Sequence, residues 1–227
     1  MKTKSFLLIF DMDGVLLDSA TAITGSLHYA LHKNGQTQLS ESDLTQFVGP
    51  PLHVMLSALL PDAGQVLRNQ CAIDYRTHNN ANGAVLTTIY AGMQELVTEL
   101  SHSFELRIAT SKLESAAELV LKAKDFYQIF DGVHGSGADG SDTKTDVMRR
   151  ALSASHFSNP SIRPLVMIGD RKHDVEGAKN LGVDSIGVTW GYAPPGELEI
   201  AAPNHIVSTP KQLLSLIYQL AEQSAQM

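Results

Sequence analysis

The chain has 227 residues, a net charge of −7, and 43% hydrophobic against 18% charged residues. These values are ordinary for a globular protein with a sizeable core, and the length suits one core domain plus an insertion. The acidic balance and the lack of a Lys/Arg cluster argue against a nucleic-acid binder, and no run approaches the ~20 apolar residues of a membrane span. Because Cys71 is the single cysteine, no intrachain disulfide can form, and we expect a soluble, cytoplasmic protein.

Three short apolar runs predict buried strands, and each run ends on a polar residue. The runs and the residues that follow them are 6–10 with Asp11, 104–109 with Thr110, and 165–168 with Gly169 and Asp170. Glu105 and Arg107 interrupt the second run, whereas the nearly continuous apolar character of the first and third is typical of strands buried on both faces of a parallel sheet. Helical patterns lie between and after these strands, at 92–100, 113–124, 145–152 and 175–181. The alternation predicts an α/β fold with a parallel sheet.

Residues 20–84 interrupt this alternation with helical patterns at 23–31, 52–60 and 66–75 and no convincing strand. We interpret this region as a helical insertion over the sheet. The predicted organisation is therefore a core formed by residues 1–18 and 85–227 and a helical cap formed by residues 19–84.

Several local features carry a structural interpretation. Ser111 fits a capping box that opens the helix at 113, and Asp174 fits the N-cap of the helix at 175. Residues 135–140 are rich in small side chains and predict a loop, and core packing is expected for Trp190 to Tyr192. After the predicted strands at 185–188 and 206–207, Thr209 and Pro210 open a final helix.

The run Asp11-Met12-Asp13-Gly14 places two carboxylates two residues apart, directly after the first strand. In extended backbone these side chains point the same way. Such a pair suits a nucleophile and a general acid/base. An acidic turn without chemistry is the structural alternative for this segment taken alone.

Asp170 and Asp174 add two more acids at the same predicted sheet edge. Because like charges this close disfavour one another, a divalent cation would resolve the conflict. The all-oxygen ligand set of Asp11, Asp13, Asp170 and Asp174 favours Mg²⁺ over zinc.

Thr110, Ser111 and Lys144 are the candidate phosphate-binding residues. The first two offer hydroxyl and N–H groups near a helix start, and a lysine can offset charge on a transferring phosphoryl group. The segment 135–144 does not match the phosphate-cradling pattern of nucleoside-triphosphate hydrolases.

The four motifs Asp11-Met12-Asp13-Gly14-Val15, Thr110, Lys144 and Gly169-Asp170 with Asp174 resemble the haloacid dehalogenase superfamily. The similar branch contains phosphoglycolate phosphatases and β-phosphoglucomutases. The resemblance covers nearly the whole chain and implies a Rossmann-like core with a helical cap. It implies Asp11 as nucleophile, Asp13 as acid/base, and a Mg²⁺ ion bound by Asp11, the Asp13 carbonyl and Asp170, with Asp174 in support.

The implied activity is hydrolysis of a small phosphomonoester of the phosphoglycolate type. Two departures, Ala91 where proline is common and His53 where arginine is common, leave the particular metabolite open. The alternatives are a phosphomutase, a carbon–phosphorus hydrolase using Lys33 as a Schiff base, and a non-catalytic binding protein. Ile23 stands where the mutases carry a cap histidine, which argues against the first alternative.

Overall fold

The computed structural model describes residues 6–137, 140–155 and 165–224. Within these ranges a six-stranded parallel sheet, in the order β5-β4-β1-β6-β7-β8, is accompanied by a two-stranded antiparallel pair, β2 and β3. The strands are β1 Leu7–Phe10, β2 Leu17–Asp18, β3 Thr88–Ile89, β4 Glu105–Leu113, β5 Gly132–Ser136, β6 Leu165–Gly169, β7 Asp184–Val188 and β8 His205–Val207. The predicted α/β class with a Rossmann-like parallel sheet is confirmed.

Strand β1 lies at the centre of the sheet because both of its faces are apolar. Leu8 and Phe10 pack into one hydrophobic cluster, and Leu7 and Ile9 pack into a second cluster on the opposite face. All four side chains are buried. Alternating side chains along a strand point to opposite faces, so a continuous apolar run is what a central strand requires.

Helices cover both faces of the sheet. The helices are α1 Ala20–Lys33, α2 Glu41–Leu44, α3 Leu52–Leu59, α4 Gln65–Leu86, α5 Met93–Ser101, α6 Glu114–Ala123, α7 Lys144–Ser153, α8 Lys172–Leu181, α9 Glu197–Ala201 and α10 Pro210–Ser224. Helices α5, α6 and α10 supply the first cluster, and α7 and α8 supply the second. None of the helices in the described ranges is long and apolar enough to cross a membrane.

Residues Ala20–Leu86 form what we call the helical segment, which runs from the start of α1 to the end of α4. It has a hydrophobic cluster of its own, in which Leu27, Leu56 and Cys71 are buried. Strand β2, just before this segment, pairs with β3, just after it, so the two connections to the core lie side by side, with Leu17 opposite Ile89. The sequence analysis missed this short pair. The division into a core and a cap at residues 18/19 and 84/85 stays a prediction.

Three local predictions were wrong. Ser111 does not cap a helix, because β4 continues to Leu113 and α6 begins at Glu114. Asp174 is the third residue of α8, which begins at Lys172, and it accepts a hydrogen bond from the Arg171 backbone N–H over 3.1 Å. The loop predicted over 135–140 begins inside β5, and residues 138 and 139 lie outside the described residues.

Other predictions at the chain's C-terminal half hold. Thr209 accepts a hydrogen bond from the Gln212 backbone N–H, as an N-cap does, and Pro210 is the first residue of α10. Gly182 ends α8 with a positive φ of 66°. The two charged residues that interrupt the apolar sequence of β4, Glu105 and Arg107, are buried and form an ion pair of 2.6 Å between Oε1 and Nε.

Candidate active site

The predicted polar residues meet at the carboxyl edge of the sheet. Asp11 follows β1, Asp170 follows β6, and Thr110 lies near the end of β4. Strands β4 and β6 flank β1 on either side. Strands β4 and β5 are thus added on one side of β1, and β6 to β8 on the other, which makes β1 a topological switch point. Open α/β sheets bind ligands at such points.

Lys144, the first residue of α7, brings two of the acids together. Its Nζ lies 2.9 Å from Asp11 Oδ1 and 2.8 Å from Asp174 Oδ1, and it donates to the Ala109 carbonyl over 3.1 Å. All three charged side chains are buried. Burial opposes the charge on Lys144, but the two carboxylates outweigh it and raise the pKa of the lysine. Lys144 is therefore a fixed cation beside Asp11.

Asp11, Asp170 and Asp174 form a buried carboxylate cluster, with one ligand atom of each within 4.8 Å of the others. Burial raises the pKa of Asp11 to about 7, with Asp174 adding to the rise and Lys144 opposing it. Burial and the other two carboxylates also raise the pKa of Asp170 well above its usual range. Carboxylates held this close favour a bound cation.

The buried Asp170 Oδ1 tests whether the cluster fits a metal ion. This oxygen has no hydrogen-bond partner among the described residues, whereas Oδ2 accepts the Tyr192 backbone N–H over 2.7 Å. A buried carboxylate oxygen without a donor is costly, and a hard cation with oxygen ligands would satisfy it. The donor set therefore fits a divalent metal ion.

Asp13 is held apart from this cluster by two other groups. Its Oδ1 accepts from the Ser19 hydroxyl over 2.6 Å, and its Oδ2 lies 3.0 Å from Lys112 Nζ. Its carboxylate is not part of the acid cluster, so its predicted metal contact through the backbone carbonyl stays a prediction. The sequence analysis missed Ser19 and Lys112.

An irregular end of β4 brings three consecutive residues to one pocket. The register of β4 with β5 shifts between Ala109 and Leu113. Thr110, Ser111 and Lys112 all line a pocket that also exposes Asp11 and Asp13. A regular strand would send Ser111 to the opposite face. The predicted phosphate-binding hydroxyls thus lie beside the predicted nucleophile.

Gly14 allows the chain to pass directly over Asp170. Its φ is +88°, and a Cβ at this position would lie 2.2 Å from Asp170 Oδ2. Only glycine combines this left-handed backbone with so close an approach.

Tyr192 ties the acid cluster to the start of the helical segment. Its backbone N–H binds Asp170, and its hydroxyl accepts from the Ser19 and Ala20 backbone N–H groups over 2.7 and 3.0 Å. The same hydroxyl donates to Asp18 Oδ1 over 2.9 Å. The expected packing holds for both aromatic residues, since Trp190 packs against the first cluster of the sheet and Tyr192 against the cluster of the helical segment, but the sequence does not signal the hydrogen bonds of Tyr192.

The helical segment forms the opposite wall of the pocket. Ile23, His53, Tyr75 and Arg76 line it there. Lys33 lies instead along a separate surface groove, with its side chain 52% exposed and its Nζ 2.7 Å from Asp74 Oδ1. This position gives no support to a Schiff-base role for Lys33.

Arg171, next to Asp170, connects the core directly to the helical segment. Its guanidinium donates to the Val48 carbonyl, and its Nε and Nη2 donate to the two carboxylate oxygens of Glu197 over 2.7 and 3.2 Å. Gly49 follows Val48 with a φ of +119°. A buried arginine with a fixed acid partner therefore holds the loop that borders the pocket.

Comparison with known proteins agrees with this geometry. The haloacid dehalogenase-like hydrolase family matches residues 8–188. A protein of Pseudomonas aeruginosa named 5'-nucleotidase is 31% identical over 202 residues, which are 87% of this chain and 89% of that protein. A crystal structure described as a predicted phosphatase from Clostridium acetobutylicum is 33% identical, with a TM-score of 0.86 over 96% of this chain and 100% of that chain.

A further relative is a longer protein. The protein of Mycobacterium tuberculosis named tyrosine-protein kinase PtkA is 37% identical over 190 residues, or 82% of this chain. The chain spans 62% of the length of that protein.

The family match identifies a hydrolase, and the acid cluster at the sheet edge fits a metal ion. The chain belongs to the haloacid dehalogenase-like hydrolase family.

Proposed function

We propose that the protein is a Mg²⁺-dependent phosphatase that hydrolyses a small phosphomonoester through an aspartyl phosphate on Asp11. The observation that carries the proposal is the buried arrangement of Asp11 with Lys144, Asp170 and Asp174. The relatives named pyrophosphatase and 5'-nucleotidase support hydrolysis of a phosphate group. A cytoplasmic location stays a prediction.

In the first step, an Asp11 carboxylate oxygen attacks phosphorus, and the bond between phosphorus and the leaving oxygen breaks. Asp13 donates its proton to that oxygen, so the product leaves as an alcohol. Thr110 and Ser111 hold phosphoryl oxygens by hydrogen bonds, and Lys144 compensates their charge. The support is that Thr110 and Ser111 line the pocket with Asp11, and that Lys144 Nζ lies 2.9 Å from Asp11 Oδ1.

In the second step, Asp13 takes a proton from water, and the water oxygen attacks phosphorus. The bond between phosphorus and Asp11 breaks, which releases phosphate and restores the carboxylate. Asp11, Asp170 and Asp174 would hold Mg²⁺, with the Asp13 backbone carbonyl as a further ligand. The ion supplies positive charge against the phosphoryl oxygens.

Phosphoryl transfer to a protein tyrosine is a second candidate, favoured by the 37% identity to the protein named tyrosine-protein kinase. The phosphatase proposal has the broader support, since the relative named 5'-nucleotidase matches 89% of its own length. Incubation with γ-labelled ATP and a tyrosine peptide separates the two. Label on the peptide would favour the kinase.

The mutase alternative gains no support from the pocket, where Ile23 occupies the wall at the position of the expected histidine. An isoleucine side chain can neither donate nor accept a proton. Isomerisation of a sugar 1-phosphate without phosphate release would nevertheless identify a mutase.

The direct test is phosphate release from a panel of phosphomonoesters with and without Mg²⁺. Asp11→Asn keeps the shape of the side chain and removes the nucleophile, so we expect a loss of at least about 10⁴-fold in kcat. Asp62→Asn, on the exposed surface, is the matched control and should retain activity. Near-normal activity of Asp11→Asn would remove Asp11 from the mechanism, and an inactive wild type would favour a binding protein.

A further inference from the structure

The wall that the helical segment contributes to the pocket carries a cation, Arg76, that forms no ion pair with an acid in the described part of the chain. Asn79 lies three residues after Arg76 and four after Tyr75 on α4, so it neighbours both side chains on the helix surface, and all three residues line the pocket. The Arg76 Nε is buried and has no hydrogen-bond partner among the described residues.

The other cations at the pocket are compensated by acids. Lys144 lies between Asp11 and Asp174, and Lys112 pairs with Asp13. An arginine cannot lose its proton to escape the cost of burial, because its pKa exceeds ~12. A buried and charged donor without an acceptor is unfavourable in the free protein, and an anion bound in the pocket would satisfy it.

Arg76 and the predicted phosphate-binding residues come from different parts of the chain, Arg76 from the helical segment and Asp11 and Thr110 from the sheet edge, although all three line the same pocket. The scissile phosphate belongs beside Asp11 and Thr110, at the sheet edge. Arg76 lies on the wall formed by the helical segment, and its Nη2 faces the core at Gly140, where a built Cβ would come within 3.2 Å of it. Apolar side chains, among them Ile23 and Met55, line the same pocket and suit a short carbon chain.

We propose that Arg76 binds a second anionic group of the substrate, so that the substrate is a short phosphomonoester with a carboxylate or a second phosphoryl group at its other end. This inference rests on the proposed phosphatase function. The planar guanidinium fork matches both kinds of anion by paired hydrogen bonds.

The test compares substrates that differ only in the distal group. The carboxylate pair is 3-phosphoglycerate against glycerol 3-phosphate, and the phosphoryl pair is 1,3-propanediol bisphosphate against 3-hydroxypropyl phosphate. Wild-type kcat/KM should favour the anionic member of at least one pair by roughly 10- to 100-fold, the range of a charge-assisted hydrogen bond. The pair with the larger ratio identifies the anion.

Arg76→Gln should reduce that ratio to near one while the neutral member keeps its kcat/KM within about threefold. The neutral member thereby reports that the variant is folded. Arg76→Lys keeps the charge but loses the planar guanidinium, so its ratio of kcat/KM values should lie between those of Arg76→Gln and the wild type. Arg68→Gln is the matched control on the same helix, because Arg68 donates to the Leu60 and Pro61 carbonyls, and it should leave the ratio unchanged.

Three outcomes would overturn the inference. Equal kcat/KM for both members of each pair in the wild type would do so while leaving the phosphatase function intact. So would an equal loss on neutral and anionic substrates in Arg76→Gln, since this would place Arg76 on the scissile phosphate. Absence of phosphate release from every substrate would reject the phosphatase function and this inference together.

Discussion

The two sides of the pocket differ in how their charges are satisfied. At the sheet edge, Lys144 is buried between two carboxylates, and Lys112 is paired with Asp13. On the side of the helical segment, the Arg76 Nε is buried without a partner in the described ranges. The two lysines at the sheet edge are thus paired in the free protein, whereas the Arg76 Nε–H would gain an acceptor from a bound ligand. Changes at the sheet edge should therefore affect every substrate, and changes in the helical segment should reorder substrates.

Asp13→Asn gives the largest effect among the changes that sharpen this comparison. As the proton donor to the leaving oxygen, Asp13 should matter most for alkyl phosphates, where kcat should fall by about 10²–10⁴-fold. An aryl phosphate leaves with less need of a proton, so its first step should be affected far less. Burst kinetics isolate the first step, and equal losses of the burst rate on alkyl and aryl phosphates would contradict the assignment.

Lys144→Met should lower activity on every substrate by a similar factor, about 10²–10³-fold. Without the lysine, the buried Asp11 and Asp174 lose their shared cation, and the pKa of Asp11 should rise further. In the absence of Mg²⁺ the free energy of unfolding should fall by about 3–5 kcal/mol.

Urea unfolding measures this loss, with Lys122→Met as the control. Lys122 forms an exposed pair of 2.7 Å with Glu118, and such pairs contribute only about 0–1 kcal/mol. Equal destabilisation by the two substitutions would show that the buried ion pairs are not what stabilises the site.

Arg171→Lys tests the junction between the two sides of the pocket. Lysine keeps the charge but cannot hold both Glu197 oxygens and the Val48 carbonyl at once. We expect kcat and KM to change together and kcat/KM to fall by about 10-fold, since the loop at Val48 would lose its anchor. Arg149→Lys, in an exposed pair with Asp146, is the control. Unchanged kinetics in Arg171→Lys would reject a positioning role for Arg171.

The smallest predicted effect is a pH dependence of stabilisation by Mg²⁺. The pKa of Asp11 is raised from its ordinary value of 3.8 to about 7. Between these values the metal-free folded state binds more protons than the unfolded chain, so the free energy of unfolding falls as pH rises. Protons and Mg²⁺ compete for the same carboxylates.

The rise in melting temperature on adding Mg²⁺ should therefore be about 2–4 °C larger at about pH 8 than at about pH 6. Thermal unfolding followed by circular dichroism measures this difference, and Asp11→Asn should reduce it. An identical rise at both pH values would contradict the proposed ligand role of Asp11.

The sheet and its edge were predictable because each acid there follows a buried apolar strand. Asp11 and Asp170 could be assigned to one edge before any coordinates, since parallel strands bring their carboxyl ends together. Lys112 was missed, and the capping role predicted for Ser111 was wrong. The residues after Thr110 resemble a helix start in sequence, so they do not indicate that β4 continues with an irregular register.

In the helical segment, no sequence pattern comparable to an acid after an apolar strand indicates which residues face the pocket. Arg76 stands in a polar stretch of α4, where arginines ordinarily face solvent, and only the packing of the segment over the sheet edge buries its Nε. Tyr192 was equally hidden, because its contacts to Ser19 and Asp170 span 173 and 22 residues of sequence. Contacts between distant segments depend on the tertiary arrangement, which local patterns do not encode.

The most direct measurement of the central claim is a search for the phosphoryl group on Asp11. Asp13→Asn protein with Mg²⁺ and an aryl phosphate should form the intermediate and hydrolyse it slowly, because the base of the second step is missing. Acid quenching within one turnover and peptide mass spectrometry should find one phosphoryl group on Asp11, decaying as phosphate appears. Release of phosphate at the same rate with Asp11 unmodified at every time point would contradict the account.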